Sequence, residues 1–221
     1  DYDDPNTYLL NAAGTPVYRY GTVRESTFLG GSGKKIQNIY RVGYETEISI
    51  VKAKASLSLN ENEESWYTSP GSTSATTRFG GPGTISSSPS RAYDVDVQFT
   101  MPLGSRHTLT CGGSYRYDWS DTKEYALADW KDEDSRAGIT YESRGKDRTY
   151  SVFVQDEIRI LNNLTAYAGF RQDWWKAFEG YANDVGKAGY PRRYSSTDAS
   201  AFRPKGALVY TPFENTTLRA S

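Results

Sequence analysis

Apolar and polar residues alternate one for one along most of this chain, and the alternation comes in successive runs. From Ile36 to Ile50 the even positions read Ile, Asn, Tyr, Val, Tyr, Thr, Ile, Ile, and the odd ones Gln, Ile, Arg, Gly, Glu, Glu, Ser. Side chains of a strand point alternately to its two faces, so a period of two predicts a two-faced strand. A second run sets Ala53, Ala55, Leu57 and Leu59 against Lys52, Lys54, Ser56 and Ser58. A third sets Tyr93, Val95, Val97, Phe99, Met101 and Leu103 against Asp94, Asp96, Gln98 and Thr100. Further runs start at Leu109, Tyr150 and Leu164, a seventh spans Ala201 to Thr211, and an eighth starts near Thr216.

The connections differ by side. Short turns are predicted near Ile50, at Pro102-Leu103-Gly104-Ser105, at Leu161-Asn162-Asn163 and at Pro212-Phe213-Glu214-Asn215. Long loops rich in Gly, Ser and charge are predicted over roughly 65–90, 120–147 and 176–200. Several runs reach about 13–15 residues, far beyond the usual strand of about 5–6. A membrane strand needs about 9–11 residues to cross the hydrocarbon. Long strands with short turns at one end and long loops at the other predict an all-β fold: an antiparallel up-and-down β-barrel segment of about eight strands. Its polar face carries Glu45, Glu47, Asp94, Asp96, Arg116, Glu157, Arg159 and Arg171, both signs together, as suits a wet or plugged lumen. Tyr117, Trp119, Tyr150 and Trp174 border the long loops, where an interfacial aromatic girdle belongs.

Composition narrows the rest. Of 221 residues, 18 are Tyr, 8 Phe and 5 Trp, and 20 are Gly, an excess that favours strands over helices. The formal charge of −1 excludes a general grip on nucleic acid. One cysteine, Cys111, and one histidine, His107, leave no disulfide framework and no basis for a multi-histidine metal site or a Ser-His-Asp enzyme. Cys111 reads as a small apolar strand residue and His107 as a turn residue. The beginning, DYDDPNTYLL, has neither the basic nor the apolar stretch of a signal peptide.

Gly30-Gly31-Ser32-Gly33-Lys34-Lys35 superficially suggests a phosphate loop. Phe28 and Lys35 stand where that motif needs Gly and Ser or Thr, so a loop is the expectation. Asp129, Asp132 and Asp134, with Glu133 between them, could supply oxygens to Ca²⁺, the one metal candidate; a solvated charged loop is the alternative. No other cofactor is expected. Aromatic and basic residues of the loops are the candidate contacts for a bulky, partly anionic small molecule: Trp66, Tyr67, Arg78, Trp130, Tyr181, Arg192 and Arg193.

One ordered series of segments carries a family resemblance. Val152-Phe153-Val154-Gln155-Asp156-Glu157-Ile158 precedes Asn163-Leu164-Thr165, followed by Gly169-Phe170-Arg171-Gln172-Asp173. Then come Phe202-Arg203-Pro204-Lys205, Val209-Tyr210-Thr211-Pro212 and Thr216-Thr217-Leu218-Arg219-Ala220-Ser221. This succession, over roughly 150–221, resembles the mid-barrel of TonB-dependent outer-membrane receptors. The resemblance implies a plugged barrel of about 22 strands, of which this chain is an internal piece. It implies energised uptake of an iron-siderophore, cobalamin or haem, with outer-membrane lipid around the barrel and the TonB complex acting through a plug outside this chain. Residues 1–35 are then an extracellular loop or N-terminal segment and 36–221 a partial barrel. Two rivals stay open on pattern alone: a complete eight-stranded barrel serving as an adhesin or structural protein, and a soluble carbohydrate-binding sandwich.

Overall fold

The computed structural model describes residues 19–20, 23–24, 31–71 and 79–221. Strands β1 (Arg19–Tyr20) and β2 (Val23–Arg24) pair as a small separate ribbon. The remaining strands are β3 (Gly33–Ile48), β4 (Val51–Pro70), β5 (Gly83–Ser87), β6 (Ser90–Leu103), β7 (His107–Leu127), β8 (Arg136–Leu161), β9 (Leu164–Asp184), β10 (Arg192–Tyr194), β11 (Thr197–Phe213) and β12 (Thr216–Ala220). These ten segments form one antiparallel sheet in chain order. They occupy eight positions, because β5 and β6 both lie between β4 and β7, and β10 and β11 both pair with β9. β3 and β12 are the two edges, so among the described residues the sheet is open and does not close as an eight-stranded barrel.

All four predicted short turns are present, between β3 and β4, β6 and β7, β8 and β9, and β11 and β12. Gly104 supplies the left-handed backbone, at φ 70°, that the second of these needs. The long loops are largely not loops. β4 runs on to Pro70 and β5 starts at Gly83; β7 ends at Leu127 and β8 starts at Arg136; β9 ends at Asp184 and β10 starts at Arg192. Among the described residues of these stretches, most belong to paired strands. The backbone pairing continues beyond the aromatic row, where polar and charged residues occupy both phases of the sequence, so the apolar alternation that marks a strand stops before the strand does. The expected boundary at residue 36 falls inside β3, and Gly33-Lys34-Lys35 of the glycine-rich stretch is strand paired with Ser65–Tyr67. Most of the expected 1–35 segment lies outside the described residues.

Register makes each face continuous. One row runs Val42, Leu57, Val95, Tyr115, Tyr150, Trp174 across six neighbouring positions. A row nearer the short turns runs Ala53, Phe99, Cys111, Val154, Phe170, Pro204. This apolar face is open: Val42 and Ile48 are each 69% exposed and Val152 45%. So large a contiguous apolar surface is foreign to a water-soluble monomer and suits hydrocarbon. The opposite face repeats Glu45, Lys54, Gln98, Gly112, Phe153, Arg171, Arg203 in one row and Ser56, Asp96, Ser114, Ser151, Asp173 in another. No helix is long and apolar enough to cross a membrane, which does not bear on crossing by strands.

Candidate functional site

The polar face is wired by charge. Near the short turns, Lys54 pairs with Glu45 at 3.1 Å. In mid-sheet, Arg171 donates from Nε to Asp173 Oδ1 at 2.7 Å and from a terminal nitrogen to Ser151 Oγ at 2.7 Å, while Ser151 donates to Asp173 Oδ1 at 2.6 Å. Arg203 adds a second cation, 3.6 Å from Asp173 Oδ2. Higher up, Arg116 grips Asp118 through two parallel bonds of 2.7 Å and lies 3.6 Å from Asp94. Such fork-to-fork pairing fixes the guanidinium plane.

Above that fork the face hollows into a groove of about 470 Å³, lined among others by Asn60, Asn62, Arg116, Asp118, Asp147 and Trp175. Asp118 and Asp147 are direct cross-strand partners. Burial, with the Asp118 charge adding to it, holds the Asp147 carboxyl above the usual carboxylate range. Amide, cation, carboxylate and indole thus converge on one concave polar surface, near the middle of strands β4, β7, β8 and β9.

The residues singled out in the sequence do not gather into one site. Trp66 and Trp130 meet in a small core with Ile85, Leu127 and Tyr125. Tyr67 stands apart, 60% exposed, and its register with Gly33 and Ser86 places it on the polar side. Tyr181 and Arg193 are partners on the apolar-face side, with the Arg193 guanidinium 5.8 Å from the ring, and Arg192 lies over Tyr190 at 4.9 Å. Tyr181 donates to Glu142 at 3.0 Å, and that bond, with burial and the Glu142 charge, raises its phenol above the ordinary range. Arg78 lies outside the described residues.

The acidic tip is organised as a turn. Asp129 Oδ1 accepts the N–H of Lys131 at 3.0 Å and of Gly81 at 3.3 Å, and Asp132 Oδ1 accepts the N–H of Asp134 at 3.0 Å. Among the described residues no three His, Cys, Asp or Glu side chains form a group that could hold a metal, so Asp129, Asp132 and Asp134 are not brought together as a calcium cage. His107 does more than shape a turn: its Nδ1 lies 2.7 Å from Asp156 Oδ2. Sequence reading missed Asn60, Asn62, Asp118, Asp147 and Trp175. The signal was present in strand parity, since each falls on the polar phase once β4, β7, β8 and β9 are extended past the girdle.

An antiparallel sheet of this length, apolar outside and charged inside, defines a segment of an outer-membrane type barrel. The family model "TonB dependent receptor-like, beta-barrel" matches residues 1–221, and the chain belongs to that family. Among curated proteins no sequence matches. Similar solved structures include the ferric citrate transporter FecA in its unliganded form, at TM-score 0.61 and 15% identity over 83% of this chain and 26% of that one. The siderophore receptor PiuA of Acinetobacter baumannii gives 0.55 and 14%, over 85% of this chain and 32% of that one. The ferric-catecholate import receptor Fiu of E. coli K12 gives 0.56 and 13%, over 97% and 36%. The chain therefore spans about a quarter to a third of these receptors, all of which are transport proteins.

Proposed function

We propose that this chain is a wall of a TonB-dependent receptor of the bacterial outer membrane that imports a scarce metal chelate, an iron-siderophore, haem or cobalamin. In this reading the long hairpins stand outside the cell, the short turns face the periplasm, and energy arrives from the TonB complex through a plug. No bond of the ligand is made or broken. The observation that supports it best is the groove of Asn60, Asn62, Arg116, Asp118, Asp147 and Trp175 on the polar face. It offers amides, an aromatic plane and the Arg116 guanidinium, the last already shared with Asp118, to a bulky polar ligand in the water-filled interior of the barrel. The exposed Tyr67 ring extends that surface upward.

The test uses the full-length receptor. Cells carrying it are compared with a deletion strain for uptake of labelled ferric citrate, a ferric catecholate, haem and cobalamin, with and without an intact TonB complex. Uptake of one probe that needs both receptor and TonB is expected. Trp175→Ala and Arg116→Gln should each weaken its binding by about tenfold, the worth of one good contact of about 1.4 kcal/mol. Equal uptake of all four probes in the deletion strain would refute the reading.

A further inference from the structure

The groove on the polar face holds more unmet acceptors than unmet donors. Its floor is small. Asn60, Ala92, Asp118, Asp147 and Ala177 form one row, and Asn62, Ser90, Ser120 and Gly145 form the next. Alanine, serine and glycine between longer side chains leave the hollow, and the exposed Trp175 stands beside it. The cations around it are already matched. Arg116 is gripped by Asp118, with Asp94 close by. Arg91 and Lys146 share a row with Trp119, in the phase of the opposite face, and pair with Glu61 and Glu179. Asp147 makes no ion pair among the described residues; the Trp175 indole is its donor, and Arg116 acts on it only through space. Asn62 gives its amide N–H to Ser90 Oγ at 3.0 Å, but its Oδ1 is shut off from water and has no donor among the described residues. Arg91 Nε also lacks a partner, yet that guanidinium lies over the Trp119 ring at 5.9 Å, in the other phase. The groove proper is left with the Asn62 oxygen and two cross-strand carboxylates.

We infer that this groove binds the hydrogen-bond-donating periphery of its ligand, hydroxyl or ammonium groups, at Asn62, Asp118 and Asp147, and turns away a periphery of carboxylates. The inference rests on the ligand-import reading above and narrows it. An ionised carboxylate accepts on both oxygens and donates nothing, so two of them side by side suit neighbouring hydroxyls or one ammonium. Like charges directly opposite each other destabilise a sheet, and a donor or cation set between them relieves that repulsion. The raised Asp147 carboxyl marks the same repulsion. An incoming carboxylate would meet like charge with no free cation to offset it, and such a repulsive element sets specificity as firmly as an attractive one. The Trp175 face serves both admitted groups, under the C–H face of a polyol or beneath a cation. Arg116 holds the Asp118 carboxylate in place and does not face the ligand as a free charge.

The experiment uses the full-length receptor, purified in detergent, with folding checked by heat-modifiable gel mobility. Equilibrium binding is measured by calorimetry for one linear ferric trihydroxamate carrying four different ends: a free ammonium, a gluconyl amide, an acetyl amide and a succinyl amide. The iron core is the same in all four, so only the end group varies. The ammonium and gluconyl forms should bind about tenfold or more tightly than the succinyl form, with the acetyl form between them. Whichever of the two binds tighter separates charge from hydroxyls as the source of the donors, and either order supports the inference. Asp147→Asn should remove the advantage of the ammonium form over the succinyl form. Asp118→Asn releases the Arg116 guanidinium and should raise affinity for the succinyl form about tenfold, a gain that misfolding does not produce. Each variant is measured separately, so a failure to fold in one leaves the other. Equal affinity for all four ends, a preference for the succinyl form, unchanged preferences in the variants, or no binding of any form overturns the inference while leaving TonB-dependent uptake untouched. Equal uptake by cells with and without the receptor refutes the import reading itself, and this inference with it.

Discussion

The half of the sheet near the short turns and the half that carries the long hairpins are built from the same paired backbone but bury their residues in opposite ways. In the turn half, Val42, Ile48 and Val152 remain 69%, 69% and 45% exposed, and their side chains await a partner outside the chain. In the hairpin half, Ile85, Trp130 and Leu127 are 0%, 2% and 3% exposed, covered by the chain itself. The tip between β7 and β8 folds back to bring this about. The Trp130 N–H bonds to Gly81 O at 2.9 Å, and a Cβ on Gly83 would meet the Trp130 Cβ at 2.4 Å, so only glycine admits the indole there. A barrel thus uses the bilayer as its core where it crosses and has to make small cores of its own where it leaves.

The strongest way to break this contrast is to empty the small core. Trp130→Ala should cost about 3–5 kcal/mol, the usual loss for a buried indole. The loss should stay local. Protease added to intact cells is expected to cut near 128–135 in the variant but not in the wild type, with the heat-modifiable band unchanged. Collapse of the whole barrel would show that the hairpins and the crossing segments fold as one unit.

The next effect belongs to the crossing half. Val152→Arg puts a charge on the apolar face and should cost about 2–4 kcal/mol when folding into lipid is measured. Gln155→Arg, three residues on and on the polar face, should change stability by only about 0.5 kcal/mol. Equal costs for the two would mean that the faces are misassigned.

Legibility in sequence followed the same division. Wherever a strand has hydrocarbon on one side and water on the other, alternation is forced, and the runs starting at Ile36, Tyr93, Leu109, Tyr150 and Leu164 gave position and face together. Past the aromatic row, residues 120–126 and 136–147 carry no such period, and strands read as loops. Trp66 and Trp130 then looked like ligand contacts because a loop aromatic has no other evident use, while the fold makes them core. Parity gives the face of Asn60, Asp118 and Trp175 but not their meeting, because they lie on three strands and come together only through register.

Within the polar face a smaller effect separates covered from uncovered charge. Asp173 is 9% exposed and leans on Arg171, Ser151 and Arg203. Arg171→Leu should cost about 1–3 kcal/mol by leaving that carboxylate short of a donor, with Arg171→Lys recovering part of it. Denaturant unfolding of the full-length receptor is the measurement.

The smallest effect is the most informative about what lies against this face. Lys54 and Glu45 pair at 3.1 Å with side chains 55% and 60% exposed. Charges so open to water and salt usually contribute between about 0 and 1 kcal/mol. A double-mutant cycle of Lys54→Gln and Glu45→Gln should therefore give a coupling below about 0.5 kcal/mol at low salt if the face is wet, and less at high salt, where screening shortens to a few ångströms. The same cycle in the full-length receptor reads the lumen directly. A coupling above about 1 kcal/mol that survives salt would require water to be excluded from the pair, as a plug pressed against this wall would do. Run with and without the preceding segments of the receptor, it would show whether the turn half of the sheet, so exposed on its apolar side, is covered on its polar side as well.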